Sequence, residues 1–192
     1  MDTGRIEDRG VAWAELLVMP SNGLRILAAS GADAALGLSL VVAKEGGDLS
    51  LADLIHPDDR DELLRLGGDA TGSIHLRLRD AEGAIRCVCG TFRPDPLAPG
   101  AVALKLVDAR QLSSVRGQPA ISPEMWSLLE NCDDYVYFKN RHYVLTACSR
   151  SLAQVTGRES DWNRIVGTTD YELFPEEHAD LYYELEKKVF AG

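Results

Sequence analysis

The chain lacks the marks of most enzyme chemistry. Its 192 residues contain no P-loop, no GxGxxG run and no HExxH pair, so the common nucleotide-binding and zinc-hydrolase signatures are missing. No serine sits in a glycine-flanked elbow, and none of the four histidines lies beside a nucleophile in a recognisable arrangement. No catalytic residue is therefore named, and the chain does not read as an enzyme. Four cysteines are present, Cys87, Cys89, Cys132 and Cys148, without a CxxC pair. Cys87 and Cys89 alternate on a predicted strand, point to one face and cannot readily close a disulfide with each other. They read as small buried hydrophobes in a reducing compartment. No further ligands stand at suitable spacing, so no metal site is expected.

No apolar run approaches the roughly 20 residues that a membrane helix needs. The first nine residues carry charges of both signs and no apolar signal core, which reads as a cytoplasmic chain without membrane contact. Positive charge is also scarce. Twenty Lys and Arg face thirty Asp and Glu, a formal net charge of -10, and such a surface repels phosphate backbones and anionic lipid. Nucleic acid is not an expected partner. Hydrophobic residues, at 45%, are numerous enough for a packed core rather than a disordered tail.

Residues 13–19 are apolar and strand-like, and the Pro20-Ser-Asn-Gly23 turn signal leads to a returning strand at 24–29. Residues 32–40 read as a short Ala- and Leu-rich helix. Ser50 can cap a helical turn starting at Leu51. Pro57 suits a first helical turn, with Asp58 and Asp59 at its positive end, in a helix running to about Leu66. His56 with these two acids could suggest a metal or acid/base cluster; helix capping explains them better.

A hairpin follows. Ile74, Leu76 and Leu78 alternate with His75, Arg77 and Arg79, Asp80-Ala-Glu-Gly83 turns the chain, and Ile85, Cys87 and Cys89 alternate with Arg86 and Val88. A turn of two or four residues sets Leu78 opposite Ile85, Leu76 opposite Cys87 and Ile74 opposite Cys89. All six then share one face, and a one-residue slip would destroy that arrangement. His75 falls on the polar, solvated face. Residues 101–107 read as a further strand and 111–123 as a linker poor in large apolar residues. A helix over 124–131, opened by Pro123, carries Met125, Leu128 and Leu129 on one stripe.

The segments Asp134-Tyr-Val-Tyr-Phe-Lys-Asn140, His142-Tyr-Val-Leu-Thr-Ala-Cys148 and Val166-Gly-Thr-Thr-Asp-Tyr-Glu-Leu-Phe-Pro-Glu-Glu-His178 resemble the first half of a PAS sensory domain. Leu54-Ile-His-Pro-Asp-Asp-Arg60 resembles the segment many PAS domains carry before their central hairpin. The resemblance covers residues 12–110 and 124–192. It implies an α+β fold: a PAS-like five-stranded antiparallel sheet with helices on one face (residues 1–110), a linker (111–123) and the N-terminal half of a second PAS-like repeat (124–192). It also implies a tandem sensory input module of a bacterial signalling protein, relaying conformational change to a C-terminal effector: a diguanylate cyclase, a cyclic-di-nucleotide phosphodiesterase or a histidine kinase. The alternative is a ligand-free dimerisation scaffold.

In a PAS-like fold, a small ligand or plain side chains fill the space between sheet and helices. The candidate lining is Leu36, Leu40, Leu54, Ile55, Ile74, Leu76, Cys87, Cys89 and Leu104 in the first repeat. In the second it is Tyr135, Tyr137, Val144, Leu152, Trp162, Tyr171 and Phe174. Asp108 and Arg110 mark the signal exit, where Val107-Asp-Ala-Arg110 resembles the Asp-Ile-Thr sequence that leads PAS domains into an effector helix. The cofactor is left unknown. The Asn-Cys-Arg-Phe-Leu-Gln run of flavin photosensors is missing around Cys148, which argues against covalent flavin. His56, the nearest positional match to a haem ligand, opens a helix and is expected to face solvent. A homodimer is expected, through residues 124–131 or 5–13. An open two-stranded ribbon is marginal alone, so residues 133–192 are expected to pack on the first repeat, pair with another copy or be loosely ordered.

Overall fold

The computed structural model describes residues 11–31, 36, 50–66, 70–115, 121–158 and 164–192. The expected lining residues Leu40 and Trp162, most of the predicted helix at 32–40 and the first ten residues lie outside this set. The described residues form an α+β fold built on a five-stranded antiparallel sheet. Its strands are β1 (Ala14–Met19), β2 (Arg25–Ser30), β3 (Gly72–Arg79), β4 (Ile85–Pro94) and β5 (Val102–Asp108), in the spatial order β2-β1-β5-β4-β3. The helices are α1 (Arg60–Leu64), α2 (Ala109–Val115), α3 (Pro123–Asn131), α4 (Arg150–Val155) and α5 (Glu176–Ala191), and a separate ribbon pairs β6 (Tyr137–Lys139) with β7 (Leu145–Cys148).

Alternation fills the front of the sheet. Leu16, Val18, Ile74, Leu76, Leu78, Val88, Leu104 and Leu106 cluster there with Leu36, Leu51, Ile55 and Leu63 from the connection between β2 and β3. The local signals act as their chemistry suggests. The Ser50 hydroxyl accepts the Ala52 N–H at 3.1 Å, Pro57 opens a 3-10 turn, and the Ser122 and Ser149 hydroxyls cap α3 and α4. Helix α2 occupies the start of the segment read as a linker.

The hairpin differs from its expected register. Arg79 pairs with Ile85, Arg77 with Cys87, Leu76 with Val88 and His75 with Cys89. The cause is a five-residue connection, Asp80 to Ala84. The Asp80 N–H reaches the Ala84 carbonyl at 2.9 Å, while the Asp80 carboxylate accepts the N–H groups of Glu82 and Ala84 and pairs with Arg86. Gly83 takes φ +87°, a conformation glycine adopts without strain. Cys87 and Cys89 therefore leave the face of Ile74 and Leu76 for the back of the sheet, where they cluster with Val107, Tyr143, Val144 and Tyr183. Where β4 pairs with β5, a Cβ on Gly90 would stand 1.9 Å from the Lys105 carbonyl oxygen, so that close approach requires glycine.

The described residues of 133–192 pack on this back face through Tyr143, Val144 and Tyr183, the first of the three alternatives open to them. Their own small core joins Leu145, Cys148, Leu152, Ala153 and Ile165. Helix α5 is too short and polar to cross a membrane, as is every other described helix.

Candidate functional site

On the back face the charged and polar residues of β3 meet the second unit, His75 half-buried and Arg77 fully so. Arg77, on edge strand β3, has no exposed surface. The segment before α1 covers the free edge of β3: the His56 N–H bonds to the Arg77 carbonyl at 2.9 Å, and the Arg79 N–H to the Leu54 carbonyl at 2.7 Å. Asp59 thereby arrives beside Arg77. It accepts the Arg77 backbone N–H at 2.8 Å and takes the guanidinium in two bonds, Nε at 3.0 Å and Nη2 at 2.6 Å. The second unit completes the shell. Arg77 donates to the Tyr171 hydroxyl at 3.2 Å, Asp180 at 3.3 Å and Glu184 at 3.0 Å, and its guanidinium lies 4.3 Å from the Tyr183 ring centroid.

Burial opposes the Arg77 charge, but the bonds to Asp59 and Tyr171 hold its pKa above the usual arginine value. Burial likewise raises the Tyr171 and Tyr183 hydroxyls above the ordinary tyrosine range. Asp59 is thus a partner of Arg77; its side chain caps no helix. His56 is the cap, its Nδ1 accepting the Asp58 N–H at 3.4 Å. It is buried rather than solvent-facing, with Nε2 3.2 Å from Asp180.

Three further links tie the units. Arg110 holds Asp108 at the end of β5 and Glu172 of the second unit, each at 2.5 Å. Arg79 pairs with Glu176 at 2.7 Å. The His75 Nε2 lies 3.0 Å from the His142 Nδ1. Within the second unit, Lys139 pairs with Asp170 and Glu186; burial raises both carboxyls above their usual values despite the ammonium beside them. Tyr143, at φ +63°, packs against Tyr183 with ring centroids 4.4 Å apart and planes tilted by 38°.

Among the described residues, cavities open on the back face. One, of about 380 Å³, is bordered by Glu15, Leu17, Arg93 and Lys105. Another, of about 300 Å³, is bordered by Trp13, His75, Cys89, Thr91, Lys105 and His142. The Cys89 thiol is pushed up to about 12 by burial and by Asp108, and burial raises Cys148 to about 11. Both are protonated near neutral pH, a poor state for a nucleophile.

The expected lining residues divide. Leu36, Ile55, Ile74, Leu76 and Leu104 meet in the front cluster with Leu54 at its margin, while Cys87 and Cys89 lie behind the sheet. The second set does not converge. Val144 and Tyr171 pack behind the sheet, Leu152 and Phe174 join the small core, and Tyr135 and Tyr137 are exposed. Asp108 and Arg110 do meet, through a fork of short bonds. Among the described residues, two groups of metal-ligand type emerge that sequence spacing did not announce, His75–Cys89–His142 and His56–Glu176–Asp180, each with its ligand atoms within 4.8 Å of one another. The acids of the second are engaged by Arg79, Arg77 and Tyr171. No protein-family model matches the chain, and no curated protein matches it.

Proposed function

We propose that the chain is a PAS-like sensory input module whose signal is the docking of its second unit on the back of the first unit's sheet. The observation that carries this reading is Arg77, a buried cation from β3 whose partners include Tyr171, Asp180 and Glu184 of the second unit. A buried charge tolerates few arrangements, because losing a partner leaves it unpaired. Docking is then closer to two-state than to gradual. A small ligand or partner that binds the docked and undocked forms unequally shifts that equilibrium. Arg110 reads the same state next to the exit strand, since it holds Asp108 and Glu172 together. By the resemblance, the receiver is a cyclase, phosphodiesterase or kinase effector.

A second reading, a ligand-free dimerisation scaffold, is favoured by the front of the sheet. There Leu16, Leu36, Leu51, Ile74, Leu76 and Leu104 are all buried and packed together. Native mass spectrometry with an absorption spectrum of the same purified sample separates the two. A bound mass of small-molecule size supports the sensory module. An unliganded chain found only as a dimer sinks it in favour of the scaffold.

A further inference from the structure

We propose that His75, His142 and Cys89 form a zinc site that joins the two units. The inference stands on side-chain geometry and does not require the sensory reading. His75 and Cys89 are cross-strand partners on β3 and β4, so the sheet supplies two ligands on one rigid face. His142 comes from the turn between β6 and β7, where its backbone N–H is fixed by the Asn140 Oδ1 at 2.9 Å. The ligand atoms lie within 4.8 Å of one another, with the two ring nitrogens 3.0 Å apart. Tetrahedral zinc, with bonds of about 2.0–2.3 Å, sets its ligand atoms roughly 3.3–3.6 Å apart. Small side-chain rotations bridge that difference.

Two imidazoles and one thiolate suit zinc and not calcium or magnesium, which take oxygen ligands. On binding, the Cys89 S–H bond breaks, its proton leaves to solvent, and the sulfur electron pair forms the bond to zinc; both imidazoles bind neutral. Three protein ligands leave a fourth position, and the cavity of about 300 Å³ borders all three. Ser73 and Thr91 line it, as does Trp13, whose indole Nε1 is a buried atom without a hydrogen-bond partner. A water or small anion at the fourth position fits such a wall.

The test is a cobalt(II) titration of the whole chain after chelator treatment. The expected result is a near-ultraviolet thiolate-to-cobalt band that saturates at one ion per chain and is displaced by zinc. Cys89→Ser should abolish the band. His142→Asn, at a half-buried turn position, should weaken affinity by more than about 100-fold, beyond the range for outer-shell partners, with circular dichroism of the metal-free variant confirming that it folds. Zinc should raise the unfolding temperature of the parent chain and leave that of His142→Asn unmoved. The proposal is overturned by no band, by a band that survives Cys89→Ser, or by unchanged affinity in His142→Asn.

Discussion

On the front of the sheet, Ile74 and Leu76 are buried among leucines; on the back, their neighbour Arg77 is buried at least as deeply among carboxylates and tyrosine rings. The same three residues of β3 thus meet two kinds of interior. The front is non-directional, since any well-filled apolar set of similar volume would serve. The back is directional, because each donor of Arg77 must find its acceptor. The front therefore accounts for stability of the sheet, and the back decides where the second unit sits.

Arg77→Ala breaks this comparison most directly. Leaving Asp59 buried without its partner should cost about 3–5 kcal/mol, and hydrogen exchange in α5 should accelerate relative to the sheet. Leu76→Ala should cost about 2–5 kcal/mol while sheet and α5 lose protection together. Equal exchange patterns in the two variants would erase the distinction between the faces. Asp80→Asn sharpens it at the hairpin. Burial opposes the Asp80 charge, yet Arg86 and the N–H groups of Ala84 and Glu82 hold its carboxyl below the ordinary 3.8. A depressed folded value gives stability that is present above pH 3.8 and lost as pH falls through the folded value. Asp80→Asn should therefore cost about 1.5–3 kcal/mol at neutral pH and flatten the acid limb of a stability–pH curve; an unchanged limb would assign the acid loss to other groups. The smallest effect belongs to Arg79→Ala. Its pair with Glu176 is largely exposed on both sides, so double-mutant cycles in urea should find under about 1 kcal/mol.

The front was legible in the sequence because a period of two in β3 names its own inward residues. The Ser50 cap and Pro57 were legible for a similarly local reason. The back was not. Arg77 and Glu184 are 107 residues apart, and His75 and His142 are 67 apart, so no spacing rule joins them. An Arg in an alternating strand reads as solvated until its cover is known. The hairpin register was missed for a smaller cause: Asp80 closes the turn through its side chain, which adds Ala84 to the connection.

That connection sets the parity of everything after it. Loop length is usually a forgiving variable, costing little per added residue. Here, removing one residue between Asp80 and Ala84 would turn Cys87 and Cys89 to the front and send Arg86 and Val88 to the back. The pairing of His75 with Cys89 would vanish without a change in either residue. A relative of this chain could thus keep every ligand and lose the site through one deletion, and the length of this loop, counted as odd or even, forecasts which relatives retain it.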